Sequence, residues 1–168
     1  MDKDLAYVPG AAWGVEICDL YRNDKEFIHV KRYGGSSVLS HFFNQGLVSG
    51  ELFRMDLAYR VIVNEKLPED RKIADLNRPP LPGEYRVIYA VISESDEPLS
   101  VPFFSKISLK NCASRLDSMG YTTMIAKVSV DQQRRVLKTY APSQKKSKNS
   151  IQPEYEHCPR EPERTMVV

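Results

Sequence analysis

Asp19, His29 and Lys31 are the residues whose types and spacing best suit chemistry. Hydrolysis of a phosphodiester takes a divalent cation on hard oxygen ligands, a polarised water and a positive group beside the scissile phosphate. Asp19 has the carboxylate for the first task and Lys31 the ammonium for the last. His29 and Lys31 stand two apart, so on a strand they leave the same face. An antiparallel hairpin can set Asp19 opposite them, with only the intervening Val30 turned to the core. Glu16 is a further acid, but on a regular strand it points away from Asp19 unless a bulge re-aims it. A plainer reading has Asp19 capping the turn at the end of its strand and Lys31-Arg32 forming a solvated face.

The elements that must position these residues follow from periodicity. Trp13 to Leu20 alternates as a strand, with Val15, Ile17 and Asp19 on one face, and Phe27 to Tyr33 makes a second. Tyr21 to Glu26 between them has turn chemistry, so the two pair as a hairpin. After Gly34-Gly35, Ser36 or Ser37 can cap a helix whose apolar residues recur to about Lys66, either continuous or broken near Gly46 or Gly50. Pro68 ends it, and Pro79 to Gly83 marks a stiff loop. Tyr85 to Ile92 is almost continuously apolar and reads as the central strand of the sheet. Phe103 to Met119 reads as a helix closed by Gly120, and Tyr121 to Val130 as a last strand. The order is β-β-α-β-α-β, an α/β (α+β) mixed sheet.

This order resembles the PD-(D/E)XK superfamily of restriction-endonuclease-like enzymes. Those place an Asp near the end of one strand, an acid-x-Lys on the next, then a helix and a further strand. Here Asp19, His29-x-Lys31, the helix from Ser36 and the strand Tyr85 to Ile92 stand in those positions. The resemblance implies a metal-dependent nuclease with Asp19 on Mg²⁺ or Mn²⁺, Lys31 steadying the developing charge on phosphorus and His29 in the second ligand position. The departure is His29, where the family has an acid, and an imidazole suits Mg²⁺ less well than an oxygen does. Three readings stay open: an active variant using another acid such as Glu16, a site for a softer metal, or a catalytically inactive binding domain.

A second resemblance covers residues 2 to 130. Glu16-Ile17-Cys18-Asp19-Leu20, Ile28-His29-Val30-Lys31-Arg32, Ser36-Ser37-Val38-Leu39-Ser40-His41 and Gln45-Gly46-Leu47-Val48-Ser49 are similar to the C-terminal region of a sporadically distributed family of large bacterial proteins. It implies a mobile-element or phage-defence setting and a chain that is a piece of a longer protein. Nuclease-like folds carry a first helix before the Asp strand, and the twelve residues ahead of Trp13 leave no room for one. A partly exposed sheet face is therefore expected, covered by a longer protein region, a partner or a second copy.

Ser37, His41 and Gln45 lie four apart on one face of the helix after the lysine strand. The nuclease resemblance implies that Gln45 and His41 contact DNA or RNA, while in the inactive binding-domain reading Arg32, with Lys31 and the basic tail, contacts phosphates. A Ser-His relay lacks an acid placed to orient His41, and no G-x-S-x-G elbow occurs.

The chain has 168 residues, 42% of them hydrophobic and 27% charged, which suits one globular domain with a real core. Its net charge is +2, so nucleic-acid binding requires local clustering of cations. Cys18, Cys112 and Cys158 form no C-x-x-C pair, which argues against a disulfide framework or zinc cluster. With no apolar leader or spanning run, the sequence reads as a soluble cytoplasmic protein without a membrane partner. Residues 1–137 read as the nuclease-like domain. Residues 138–168, with Lys145 to Lys148 and four prolines from Pro142 to Pro162, read as a disordered basic tail.

Overall fold

A computed structural model describes residues 5–6, 14–22 and 25–130. The tail expected from residue 138 lies outside the described residues, as does Cys158. The fold is a mixed α/β arrangement. Strands β1 (Leu5–Ala6) and β2 (Val15–Glu16) form a short antiparallel pair. Strands β3 (Leu20–Arg22), β4 (Glu26–Arg32), β5 (Arg86–Ser93) and β6 (Thr122–Ser129) form a four-stranded sheet in that order. The β3–β4 pairing is antiparallel, while β4–β5 and β5–β6 are parallel. Their crossovers are helices α1 (Ser36–Met55) and α2 (Leu57–Lys66), and then α3 (Phe103–Ser118).

The single strand expected over Trp13 to Leu20 is two strands. Val15 and Glu16 pair with Ala6 and Leu5, whereas Leu20 to Arg22 pair with β4, so the chain changes partner at Ile17 to Asp19. The long helix breaks at Asp56 and at neither Gly46 nor Gly50. Asp56 is extended, and its Oδ1 accepts the N–H groups of Ala58 and Tyr59, capping α2. The N-cap of α1 is Gly35, which offers no side chain. Ser36 instead meets Ser105 of α3, Oγ to Oγ at 3.1 Å.

Helices α1 and α3 pack on one face of the sheet. Tyr89 of β5 donates its hydroxyl to Phe43 O, and its ring meets Phe42 and Phe43 edge-on. Tyr121, just before β6, donates to Gly50 O, and Leu116 of α3 packs over Gly50. Gly120, at φ +88, allows the turn out of α3.

Register sorts the residues between the two faces. Phe27 and His29 face the helices beside Val87 and Tyr89, so His29 is the core residue and Val30 lies on the other face, half-buried. The expectation had these two reversed. The strand's alternation is fixed by Phe27, which packs on Phe53 of α1, and His29 follows it at the next position on that face.

The face away from the helices carries an apolar row across all four strands: Leu20, Ile28, Ile88 and Met124. Ile92 and Val128 extend it. Leu20 is 55% exposed, Met124 48% and Val128 42%. Parallel strands are ordinarily covered on both faces, and here the described residues cover one.

Candidate functional site

Asp19 sits where β3 begins. Its N–H donates to Ile28 O at 3.0 Å, and its Oδ2 accepts the N–H of Val30 at 2.6 Å. The carboxylate thus extends the antiparallel ladder by one rung with a side chain in place of backbone. His29, beside it on β4, is 2% exposed. Burial holds its imidazole down at about 4, with the nearby Asp19 charge opposing that shift. His29 is therefore neutral near pH 7, and its Nε2 has no hydrogen-bond partner among the described residues. Lys31 is exposed at the end of the strand, and Arg32 stands 3.6 Å from Glu94.

The remaining expected residues gather elsewhere. Glu16 on β2 accepts from Gln45 Nε2 at 2.8 Å, and both line a shallow groove with His41, Asn44 and Val48. Ser37, His41 and Gln45 do share a helix face, the first two exposed and the third half-buried. The hairpin holds Asp19 close to His29, and α1 holds Glu16 with Gln45.

These donors are not gathered at one point. One oxygen of Asp19 is engaged by a backbone N–H, His29 is a buried neutral ring, and Glu16 is hydrogen-bonded to Gln45. Among the described residues no group of three or more His, Cys, Asp or Glu side chains is placed to hold a metal ion. Nor is Cys18 a ready nucleophile, since burial first and the Asp19 charge second push its thiol up to about 12.

Sequence reasoning missed a basic cleft at the amino-terminal ends of β4 and β5. Lys25, Arg60, Arg71, Lys72 and Arg78 line it together with Tyr21, Tyr85 and the acids Asp75 and Glu84. These residues come from five separate stretches of chain, so no local motif announces them. The adjacent pair Arg71-Lys72 was the only compact signal. Burial opposes ionisation of Glu84, but hydrogen bonds from Arg78, Lys25 and the Leu81 N–H outweigh it and hold the carboxyl at about 2.

Among the described residues no helix is long and apolar enough to cross a membrane. A family model, DUF6119, described as a family of unknown function, matches residues 1–129. No curated protein and no solved structure matches the chain.

Proposed function

We propose that this chain, which belongs to the DUF6119 family of unknown function, is a protein-interaction domain whose uncovered sheet face receives a helical layer from another polypeptide. The observation that carries this reading is the apolar row Leu20, Ile28, Ile88 and Met124 on a sheet that, among the described residues, has α1 and α3 packed on its opposite face. Parallel strands bury both faces because crossover helices normally fall on both, and a helix with an apolar stripe restores the missing layer.

Charge indicates what flanks that stripe. Arg22, Arg86 and Arg32 stand on the same face; Glu26 is buried between Arg86 at 3.0 Å and Arg22 at 3.1 Å, and Glu94 stands 3.6 Å from Arg32. All three guanidiniums keep exposed surface at the rim, which suits a helix carrying Asp or Glu beside its apolar stripe. A metal-dependent nuclease in a mobile-element or phage-defence system has less support, since among the described residues no three His, Cys, Asp or Glu side chains gather to hold a metal ion.

The test uses amphipathic peptide probes with a leucine stripe, one flanked by Glu and one by Lys, titrated calorimetrically into the full chain. The Glu-flanked peptide should bind more tightly, and Leu20→Asp or Met124→Asp should abolish binding while the chain remains folded. Equal affinity for both peptides, unaffected by either substitution, would sink the proposal. Concentration-dependent dimerisation removed by Met124→Asp would replace the helical layer with a second copy. Salt-sensitive binding of DNA or RNA that survives Met124→Asp, without peptide binding, would replace it with nucleic acid.

A further inference from the structure

The basic cleft at the amino-terminal edge of the sheet has a volume of about 220 Å³. Its cations are not equally compensated. Lys25 and Arg78 both pair with Glu84, at 2.7 and 3.1 Å. Arg60 differs: it is 4% exposed, and the acceptors it donates to are neutral carbonyls. Its Nε donates to Leu76 O at 2.8 Å, and its Nη1 to Phe53 O and Arg54 O at 3.1 and 2.9 Å. Among the described residues no carboxylate lies within ion-pair distance of it.

A guanidinium taken out of water without a counter-ion is a costly arrangement, and the residues beside Arg60 along the cleft add positive charge. Arg71 spends Nη1 on Tyr21 O at 3.0 Å, while its Nε is buried without a hydrogen-bond partner and lies 3.6 Å from Asp70. Lys72 donates to Asn64 O at 2.7 Å, and its acidic neighbour Glu69 stands 3.7 Å away in solvent. Tyr21 and Tyr85 give the same cleft an aromatic wall.

We propose that this cleft binds a small phosphate-bearing anion, with the phosphate against Arg60, Arg71 and Lys72 and the organic part against Tyr21 and Tyr85. Arg60 Nη2 and Arg71 Nε and Nη2 are the guanidinium nitrogens not spent on these carbonyls, and they can donate to phosphate oxygens while the ammonium adds a third positive contact. The volume admits a phosphate with a compact organic group and excludes a duplex. This site is separate from the sheet face and stands or falls independently of it.

The experiment is a calorimetric and thermal-shift titration of the full chain with inorganic phosphate and with a mononucleotide 5′-monophosphate, against sodium chloride and acetate at equal ionic strength. Phosphate should raise the melting temperature saturably, and the mononucleotide should bind more tightly than phosphate. Arg60 ties α1 to α2 and the following loop, so it is left intact. Arg71→Gln and Lys72→Gln, each checked for native circular dichroism, should each weaken binding by about tenfold. A phosphate response no greater than that of sodium chloride would overturn the site, as would wild-type affinity in both variants. A mononucleotide no tighter than phosphate would overturn the aromatic part of the assignment.

Discussion

The Asp19 carboxylate accepts the backbone N–H of Val30 at 2.6 Å, and this gives the residue a structural task that a metal ligand does not have. Without it, a partly buried N–H on β4 loses its acceptor just past the last rung of β3. Asp19→Ala should lower the unfolding free energy by about 1–3 kcal/mol, the cost of leaving a buried donor without its acceptor. Asp19→Asn, which keeps a neutral acceptor, should cost about half as much. Urea unfolding of the three proteins measures this. Repeating it with Mg²⁺ or Mn²⁺ should leave the wild-type midpoint unmoved, because a cation bound to the folded state alone would raise it.

His29 makes stability depend on pH in a defined window. Its folded-state value of about 4 lies below the ordinary histidine value of 6.5. Between those two the unfolded chain takes up a proton that the folded chain refuses, so stability falls as pH drops from 6.5 towards 4 and levels off below. The full loss is about 3 kcal/mol. Denaturation at pH 7 and pH 4.5 should show most of it, and His29→Leu should flatten the profile across that interval. A slope unchanged by the substitution would assign the effect to other groups.

Much of the fold was legible because its signals are local. Tyr85 to Ile92 is nearly all apolar, and β5, which it forms, is one of the two interior strands. Gly120 stops α3 where its positive φ is needed. The element order also follows the sequence pattern, with α1 and α2 replacing one long helix. What was not legible depends on partners distant in sequence. The β2–β3 stretch alternates like one strand, but Ala6 claims its first part and β4 its last. His29 and Val30 could be assigned to faces only once α1 was known to hold Phe27. The expected site was read as one constellation, whereas Glu16 turns to Gln45 on α1 and leaves Asp19 with Val30.

The helix break at Asp56 depends on one side chain. Asp56 Oδ1 takes the N–H of Ala58 at 2.7 Å and of Tyr59 at 3.2 Å, so it satisfies two donors that the first turn of α2 leaves open. Asp56→Ala should cost about 1 kcal/mol, and Asp56→Ser should recover most of it. Thermal unfolding monitored by circular dichroism checks both. A loss equal in the two variants would mean that the carboxylate's charge matters and its geometry does not.

Gly46 and Gly50 sit on the same helix and both lie under side chains, yet they should respond differently to alanine. A Cβ at Gly46 would stand 2.6 Å from the Tyr89 ring, which is wholly buried, hydrogen-bonded to Phe43 O and wedged by Phe42 and Phe43. That ring has nowhere to go, so Gly46→Ala should destabilise by about 1–3 kcal/mol despite the helix propensity that alanine adds. At Gly50 the nearest atom, at 2.7 Å, is the terminal methyl of Leu116, with the Tyr121 ring no nearer than 3.6 Å. A leucine can change rotamer where a wedged tyrosine cannot. The roughly 1 kcal/mol gained from propensity then offsets most of the crowding, leaving Gly50→Ala close to wild type in a denaturant titration. Equal losses at the two positions would show that the layer over α1 is uniformly rigid and that Tyr89 is not the fixed point against which the helix is set.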